Sequence, residues 1–599
     1  MTDTEKNISD NTEPLGTNKL IIPDILRPQK SSLSFADQTS NLQIQSGKSI
    51  IFDWGRKRTG WILLNASGSA KVELAGDIRI FEMYDSSIAN NPDFCGDKHP
   101  SFCANKSRCE VDFNGKEAYL SKMSSAFRYI RITNLRDTDL IIKSIMLKPS
   151  EFPARPRGSF ECDSETINSG WQMGIDTVHL CTQPGDQSFT PIFAPFGDGY
   201  VQWDGCRRDR EIWGGDLRPS ALAWFYNFED QSPIANSIYA IMNSQHCGCS
   251  EHGLFPGSGS THQTFYEWAF WEVSCLWEYI LHTGDKKLLK FAAHKLPLFL
   301  EWCEKKTAEH PDGWILSKNC WMYTLEFPEQ VLPSLQAASL MGFESMKKIF
   351  DFLQMEDFSD RTQLLIKRVR KNFHKTFWDK KLNAYKFLTI GDSHSDLCAN
   401  AWAILSDIVK KEERESLLKS IKDLHWTNSG SLNISPVMQQ ESFHNNTIWP
   451  YANSYEMCAR FHCGDSDSAL ELFKAYIGNI RKSGHNTLLE MINIDSSLPI
   501  KESDGNTLSF SHCWASQGSW ALQKYLLGVA PVKIGWQEFS FSPLKSPLKW
   551  LNGKIVTPYG TIDVEIDNSK QLPKAKVVHP REIECSNSSD YRSVEFVSK

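Results

Sequence analysis

The period of the apolar residues changes twice along this chain, and no other feature narrows the possible folds as much. From about 31 to 150 the apolar residues alternate in short runs. Ser49–Phe52, Gly60–Leu64, Ala70–Leu74, Phe127–Ile132 and Leu140–Ile145 read as strands separated by turn residues, the pattern of an antiparallel β-sandwich. From about 164 the period becomes helical. Thr166 to Thr182 sets Ile167, Trp171, Ile175 and Val178 on one stripe. Helical runs recur near 217–228, 232–244, 264–282, 286–304, 333–352, 359–374, 396–410, 412–421, 450–462, 465–482 and 512–527. After Gly528-Val529-Ala530-Pro531 the strands return at 538–543, 548–553, 553–557 and 560–565. About a dozen helices between two strand-rich regions predict a multidomain α and β protein with a central α/α toroid of paired helices. The expected domains are a loose tail over 1–30, a β-sandwich over 31–157, the helical barrel over 158–530, and a C-terminal β-sandwich with a polar tail over 531–599.

At 599 residues the chain exceeds what one core can organise. A net charge of -7, with no basic stripe, argues against a nucleic-acid partner. No run of 18 or more apolar residues occurs, so no membrane span is expected. The polar start Met1 to Asn7 lacks an apolar signal core, and the 16 cysteines follow no framework spacing, which predicts reduced thiols and a cytoplasmic location. His246-Cys247-Gly248-Cys249 and the trio Cys95, Cys103 and Cys109 lack paired metal-ligand spacing, so neither a metal nor a cofactor is expected.

Three stretches can carry chemistry. Trp203 to Asp216 holds four acids, three arginines and two tryptophans; turn residues 195–199 precede it and an apolar run follows it. It reads as a loop entering a helix. Flat apolar rings beside carboxylates suit a sugar, whose hydroxyls and leaving oxygen need charged partners; the plain alternative is a structural ion-pair cluster under a helix start. The second stretch is Gly484 to Ile492, where Glu490 stands between Leu489 and Met491. That glutamate is either a surface residue on an alternating strand or a desolvated carboxylate suited to proton transfer. The third is Ser509-Phe510-Ser511-His512-Cys513-Trp514, which opens the last long helical run.

The order of parts and these motifs resemble glycoside hydrolase family 78, the α-L-rhamnosidases, and their six-hairpin relatives. Phe52-Asp53-Trp54-Gly55 with Gly60-Trp61 is similar to the strand that opens the family's sandwich, and Gly158 to Cys162 to the start of its barrel. Asp204 to Asp216 resembles its acidic motif, and Gly464 to Glu490 the helix and loop that hold its general base. Leu281-His282-Thr283-Gly284-Asp285, Ser511-His512 and Val556 to Gly560 complete the ordered set, which spans roughly 45–570.

The resemblance implies an (α/α)6 barrel and an inverting hydrolysis of a terminal α-L-rhamnoside or related glycoside. One carboxylic acid protonates the departing oxygen and a second carboxylate activates water, the two standing about 6.5–9.5 Å apart. Aligned from Trp213 and Asp216, the acid falls on Asp209 and the base on Glu490. Asp204 and Asp216 become flanking acids, Arg208 steadies the cluster, and Glu267, Trp268, Trp213, Trp321, Trp449 and His512 line the pocket. Family members carry a glutamate as acid within R-x-E-R, whereas this chain reads Arg208-Asp209-Arg210-Glu211, so Glu211 stays the alternative acid. Two other classes remain open: an inactive carbohydrate-binding barrel, which needs the aromatics but no acid and base pair, and a polysaccharide lyase. The partner expected in each case is a carbohydrate.

Overall fold

The computed structural model describes residues 13–14, 42–75, 108–119, 125–187, 192–207, 209–245, 251–259, 264–316, 330–387, 394–436, 446–497, 509–569, 573–587 and 593–599. The expected N-terminal tail lies outside them except for Glu13–Pro14, which pairs with Met146 and Leu147.

The N-terminal sheet contains β1 (Leu42–Ile44), β2 (Ser49–Ala75), β3 (Arg108–Tyr119), β4 (Ser125–Asn134) and β5 (Leu140–Pro149). The three short strands expected between residues 49 and 74 are one continuous strand, β2, of 27 residues. Its glycines bend the chain without ending it. Gly60 is one of them: it sits at φ +155°, and a Cβ there would lie 2.1 Å from the carbonyl oxygen of Lys148. The bends let β2 pair with β4 twice, so that Ile50 and Val72 both face Ile132. The sheet thus folds on itself around a separate core that includes Phe52, Leu64, Val72, Ile130 and Leu147.

The strand β6 (Ser159–Cys162), expected to open the helical domain, instead pairs with a strand of the C-terminal region. The helices are α1 (Glu165–Cys181), α2 (Gly214–Asn227), α3 (Ser232–Asn243), α4 (Tyr266–Thr283), α5 (Lys286–Ala293), α6 (Leu296–Ala308), α7 (Pro333–Phe352), α8 (Glu356–Phe377), α9 (Leu397–Leu405), α10 (Lys411–His425), α11 (Pro450–His462), α12 (Ser466–Lys482) and α13 (Gln517–Ala521). The run expected over 286–304 is split because Pro297 stands in the first turn of α6, a position that suits a helix start and not an interior. The run expected over 512–527 is a 3-10 turn, the short α13 and a π turn, Leu522–Leu526.

Packing sorts these helices into two sets. Among the described residues α2, α4, α7, α9, α11 and α13 pack each against the next, and α13 returns to α2. Every residue of α2 is buried, and Leu397 to Ile404 are buried in α9. A helix apolar on all sides belongs inside. Between them in sequence come α3, α8, α10 and α12, which pack outward. In α8 only a stripe (Thr362, Leu365, Ile366, Val369, Phe373, Phe377, with Ser359) is buried. The helix ends follow local chemistry: Gly284 at φ +69° closes α4, and Asp285, Asp396 and Asp465 accept first-turn N–H groups of α5, α9 and α12.

The C-terminal region has two sheets. One holds β7 (Val529–Pro531), β8 (Glu538–Phe541) and a later strand, β12 (Glu584–Asn587). The other holds β6, β9 (Trp550–Thr557), β10 (Gly560–Asp567), β11 (Lys574–His579) and β13 (Ser593–Ser598). Phe541 meets Phe596 at 5.9 Å and Phe539 meets His579 at 5.5 Å, which joins the sheets face to face. The region is not wholly antiparallel. After β11 the chain crosses to the other sheet for β12 and returns for β13, so β12 pairs parallel with β8 and β13 parallel with β11. The tail expected to be polar and loose forms these last strands.

Candidate active site

The acidic motif sits on irregular backbone just ahead of α2. A short hairpin, Thr182–Pro184 against Tyr200–Gln202, delivers the chain to it. Asp204 organises the loop: its Oδ2 accepts the N–H of Asp209 at 3.1 Å, its Oδ1 that of Glu211 at 3.1 Å, and its own N–H donates to the Glu211 carbonyl. Arg210, between the two candidate acids, takes φ +58°. This left-handed turn is costly for a non-glycine residue. It is held by the fully buried guanidinium, which donates to the carbonyls of Cys206 and Gln187 and to Gln183 Oε1. The turn separates Asp209 from Glu211. Asp209 Oδ2 accepts the indole N–H of Trp213 at 3.3 Å, while Glu211 Oε1 accepts the N–H of Ile212 at 2.9 Å.

Two segments far along the chain close on this loop. Cys206 N–H donates to Ser511, Cys513 N–H to Asp204, and the Cys181 thiol reaches the carbonyls of both Asp204 and Ser511. His512 N–H donates to Leu488, and Leu488 N–H to the hydroxyl of Thr177 on α1. Backbone pairing thereby carries His512 and Glu490 to the acids. His512 Nε2 is 2.8 Å from Asp216 Oδ1, and its Nδ1 is 3.9 Å from Glu490 Oε2. Glu490 is 4% exposed, and Oε2 accepts the N–H of Ser509 at 2.8 Å. It lies in a loop rather than on a strand. Asp204, Asp209, Asp216, Glu490 and His512 are all buried and electrostatically in contact.

The charges follow from that crowding. Burial, then the charges of Asp209 and Asp216, push the Asp204 carboxyl well above the carboxylate range, against the pull of His512. Burial also raises Asp216, to about 6, with Glu490 and Asp209 adding to it and the His512 hydrogen bond opposing. For His512 burial favours the neutral ring, but Glu490, Asp216 and Asp204 outweigh it and raise the imidazole to about 10. At neutral pH the centre therefore holds an imidazolium beside the Asp216 carboxylate.

The other expected residues fall out as follows. Glu267 and Trp268 are buried in the first turn of α4, beside the start of α2. The Trp268 ring stands edge-on to Trp213 at 5.3 Å, and a Cβ on Gly215 would meet it at 2.6 Å. Trp449 is wholly buried, donates to Thr447 Oγ1, and meets the site through Trp514 at 5.6 Å. Arg208 and Trp321 lie outside the described residues, as do His246 to Cys249, Cys95 and Cys103; of Cys109 only the backbone is described. Among the described residues no cluster with the ligands for a metal is present. Trp514 stood in the third stretch but was given no role from the sequence. It packs on His512 at 4.7 Å and donates to the Glu490 carbonyl; its place two residues after His512 was the available signal.

Residues 200–434 match the bacterial α-L-rhamnosidase six-hairpin glycosidase domain. The match covers about two fifths of the chain. The structure is similar to the GH78 family rhamnosidase of Bacillus sp. GL1 at a TM-score of 0.72 and 16% identity, over 93% of this chain and 55% of that one. It is similar to the Klebsiella oxytoca rhamnosidase, solved with rhamnose bound, at a TM-score of 0.62 and 16% identity over 83% and 91%. It is also similar to the Streptomyces avermitilis α-L-rhamnosidase complexed with L-rhamnose, at a TM-score of 0.63 and 15% identity over 88% and 47%. The chain thus spans about half the length of the first and last of these. A search of curated proteins by sequence gave no match.

Proposed function

We propose that the protein is an inverting glycoside hydrolase that releases terminal α-L-rhamnose, or a closely related sugar, from a glycoside. The observation that carries this reading is the meeting of Asp204, Asp209 and Asp216 with Glu490 and His512, segments almost 300 residues apart, at the start of the ring helices. The closed packing order supports an (α/α)6 toroid over 158–530, between β-sandwich domains over 31–157 and 531–599. Asp209 donates the proton to the departing oxygen. Its carboxyl is held by an indole N–H, while Glu211 is folded back on the backbone that fixes Asp204. Glu490 takes the proton of the attacking water, with His512 keeping its charge balanced beside Asp216. Asp204, Asp216, Glu267 and Trp213 are assigned to hold and orient the sugar. Ten described cysteines are free thiols, which fits a cytoplasmic setting.

The test compares Asp209→Asn and Glu490→Gln on two substrates, a para-nitrophenyl and an alkyl α-L-rhamnoside. Each variant is expected to lose a factor on the order of a hundred or more on the alkyl glycoside. A nitrophenolate leaves without a proton, so Asp209→Asn recovers much of its rate there and Glu490→Gln does not. Full activity of Asp209→Asn on the alkyl substrate removes the acid role. A wild-type protein inert toward every α-L-glycoside removes the hydrolase reading.

A further inference from the structure

The ring helices that hold the acids at their starts enclose a second cavity at their ends. Asp216 and Trp268 lie in the first turns of α2 and α4, whereas Phe225 and His282 lie in the last turns. At 1.5 Å per residue these pairs are separated by roughly 14 Å along α2 and roughly 21 Å along α4. The cavity measures about 550 Å³ and lies between these helix ends, the start of α3 and the β9–β10 turn of the C-terminal region. That is the size of a small-ligand site.

Its floor is aromatic, with Phe225, Tyr279, His282 and Trp536. Three of its polar atoms have no partner among the described residues. His282 is 4% exposed and donates from Nδ1 to the Glu278 carbonyl at 2.7 Å, so Nε2 carries the lone pair; among the described residues nothing pairs with it. Gln231 Oε1 and Ser232 Oγ also lack partners there. Gly197, at φ +57°, lets the wall approach Ser232: a Cβ would lie 2.3 Å from its hydroxyl. The charges at the rim are mostly committed. Glu229 pairs with Arg157, and Asp285 accepts the Tyr279 hydroxyl and the N–H groups that start α5. Asp230 accepts the N–H of Ser232 on one oxygen, and the other has no partner among the described residues.

We propose that this cavity is a second, non-catalytic site for a neutral sugar residue. A ring with several hydroxyl donors and an apolar face matches unpaired acceptors above aromatic rings. A uronate would meet Glu229, Asp230 and Asp285 against the single lysine of the lining, Lys287, and a polycation would find that lysine and one uncommitted carboxylate. The choice of rhamnose as probe rests on the hydrolase reading; the cavity and its acceptors do not.

The experiment titrates L-rhamnose into the intact chain by NMR and calorimetry. The wild type is expected to bind two molecules per chain. The rim variant Asp230→Ala/Gln231→Ala, and separately Ser232→Ala, which removes only a hydroxyl, are expected to lose one molecule or weaken it at least tenfold. Turnover of a para-nitrophenyl α-L-rhamnoside stays unchanged in both. One molecule per chain in all three proteins overturns the inference, as does spermidine competing for the second site as well as the sugar. If the rim variants lose a sugar but no glycoside is hydrolysed, the second site stands and the hydrolase reading falls. If hydrolysis occurs and the single bound sugar responds only to Glu490→Gln, the second site falls and the hydrolase reading stands.

Discussion

His512→Gln removes the cation from between Asp216 and Glu490 while keeping a side chain of similar reach. Its ring nitrogens are 2.8 and 3.9 Å from the two carboxylates, and the three residues are 4%, 1% and 4% exposed. Breaking a buried pair on one side costs about 3–5 kcal/mol. The shift of His512 from 6.5 to about 10 sets a ceiling on the same scale. At 1.36 kcal/mol per unit it amounts to roughly 5 kcal/mol. The sign fixes the pH dependence. A folded value above the unfolded one stabilises fully below pH 6.5, and the contribution is lost as pH rises toward 10. The stability difference between wild type and variant is therefore largest below about pH 6.5 and falls as pH rises, to about 1 kcal/mol near pH 9.5. Urea unfolding of the helical transition, followed by circular dichroism at several pH values, measures it. A difference that is flat across the range, or below about 1 kcal/mol at its maximum, refutes the charge balance inferred here.

Two further outcomes test the loop itself. Glu211→Gln keeps the backbone bonds to Asp204 and is expected to stay within about tenfold of wild-type turnover, against a hundredfold or more for Asp209→Asn; a larger loss moves the acid to Glu211. Gly215→Ala forces a Cβ to 2.6 Å from the Trp268 ring, which leans on Trp213, the donor to Asp209. It is expected to cost about 1–3 kcal/mol in thermal unfolding and to lower turnover with it, and an unchanged melting temperature defeats that coupling.

Much of the helical region is legible because the ring helices are apolar runs, the outer helices keep a 3.6 period, and both end in local signals. The run expected over 333–352 is α7 to the residue, and Gly284 with Asp285 marks the junction of α4 and α5. The strand regions are less legible. Gly55, Gly60 and Gly68 look like turns, yet β2 stays extended through them, because a strand that wraps a small core needs bends where turns would stand. In the tail, Ala575 and Val577 face inward while Lys574 and Lys576 face water, so half of each strand looks like loop composition. In the site, residue types and the start of α2 can be read, but distances cannot. Whether Glu490 is a surface glutamate or a buried one depends on Ser509 and His512, and no local pattern encodes that meeting.

The same contacts explain why the acids stand on loops in a chain so rich in helix. A helix fixes its side chains at set angles, and Asp209 and Glu211 would share neither neighbours nor direction on one. Here the carboxylates are placed by main-chain hydrogen bonds from three segments, 204–213, 488–490 and 509–513, each tied to the others before it meets a helix. The N-terminal sheet braces this arrangement from outside. Arg128, paired with Asp53 at 2.9 and 3.1 Å, donates to the carbonyl of Gly484, and the Lys57 ammonium lies 5.4 Å above the Phe510 ring. Glu490 and His512 are thus held between the ring helices and a separately cored sheet. That gives the β region a part in positioning Glu490, beyond covering the helices.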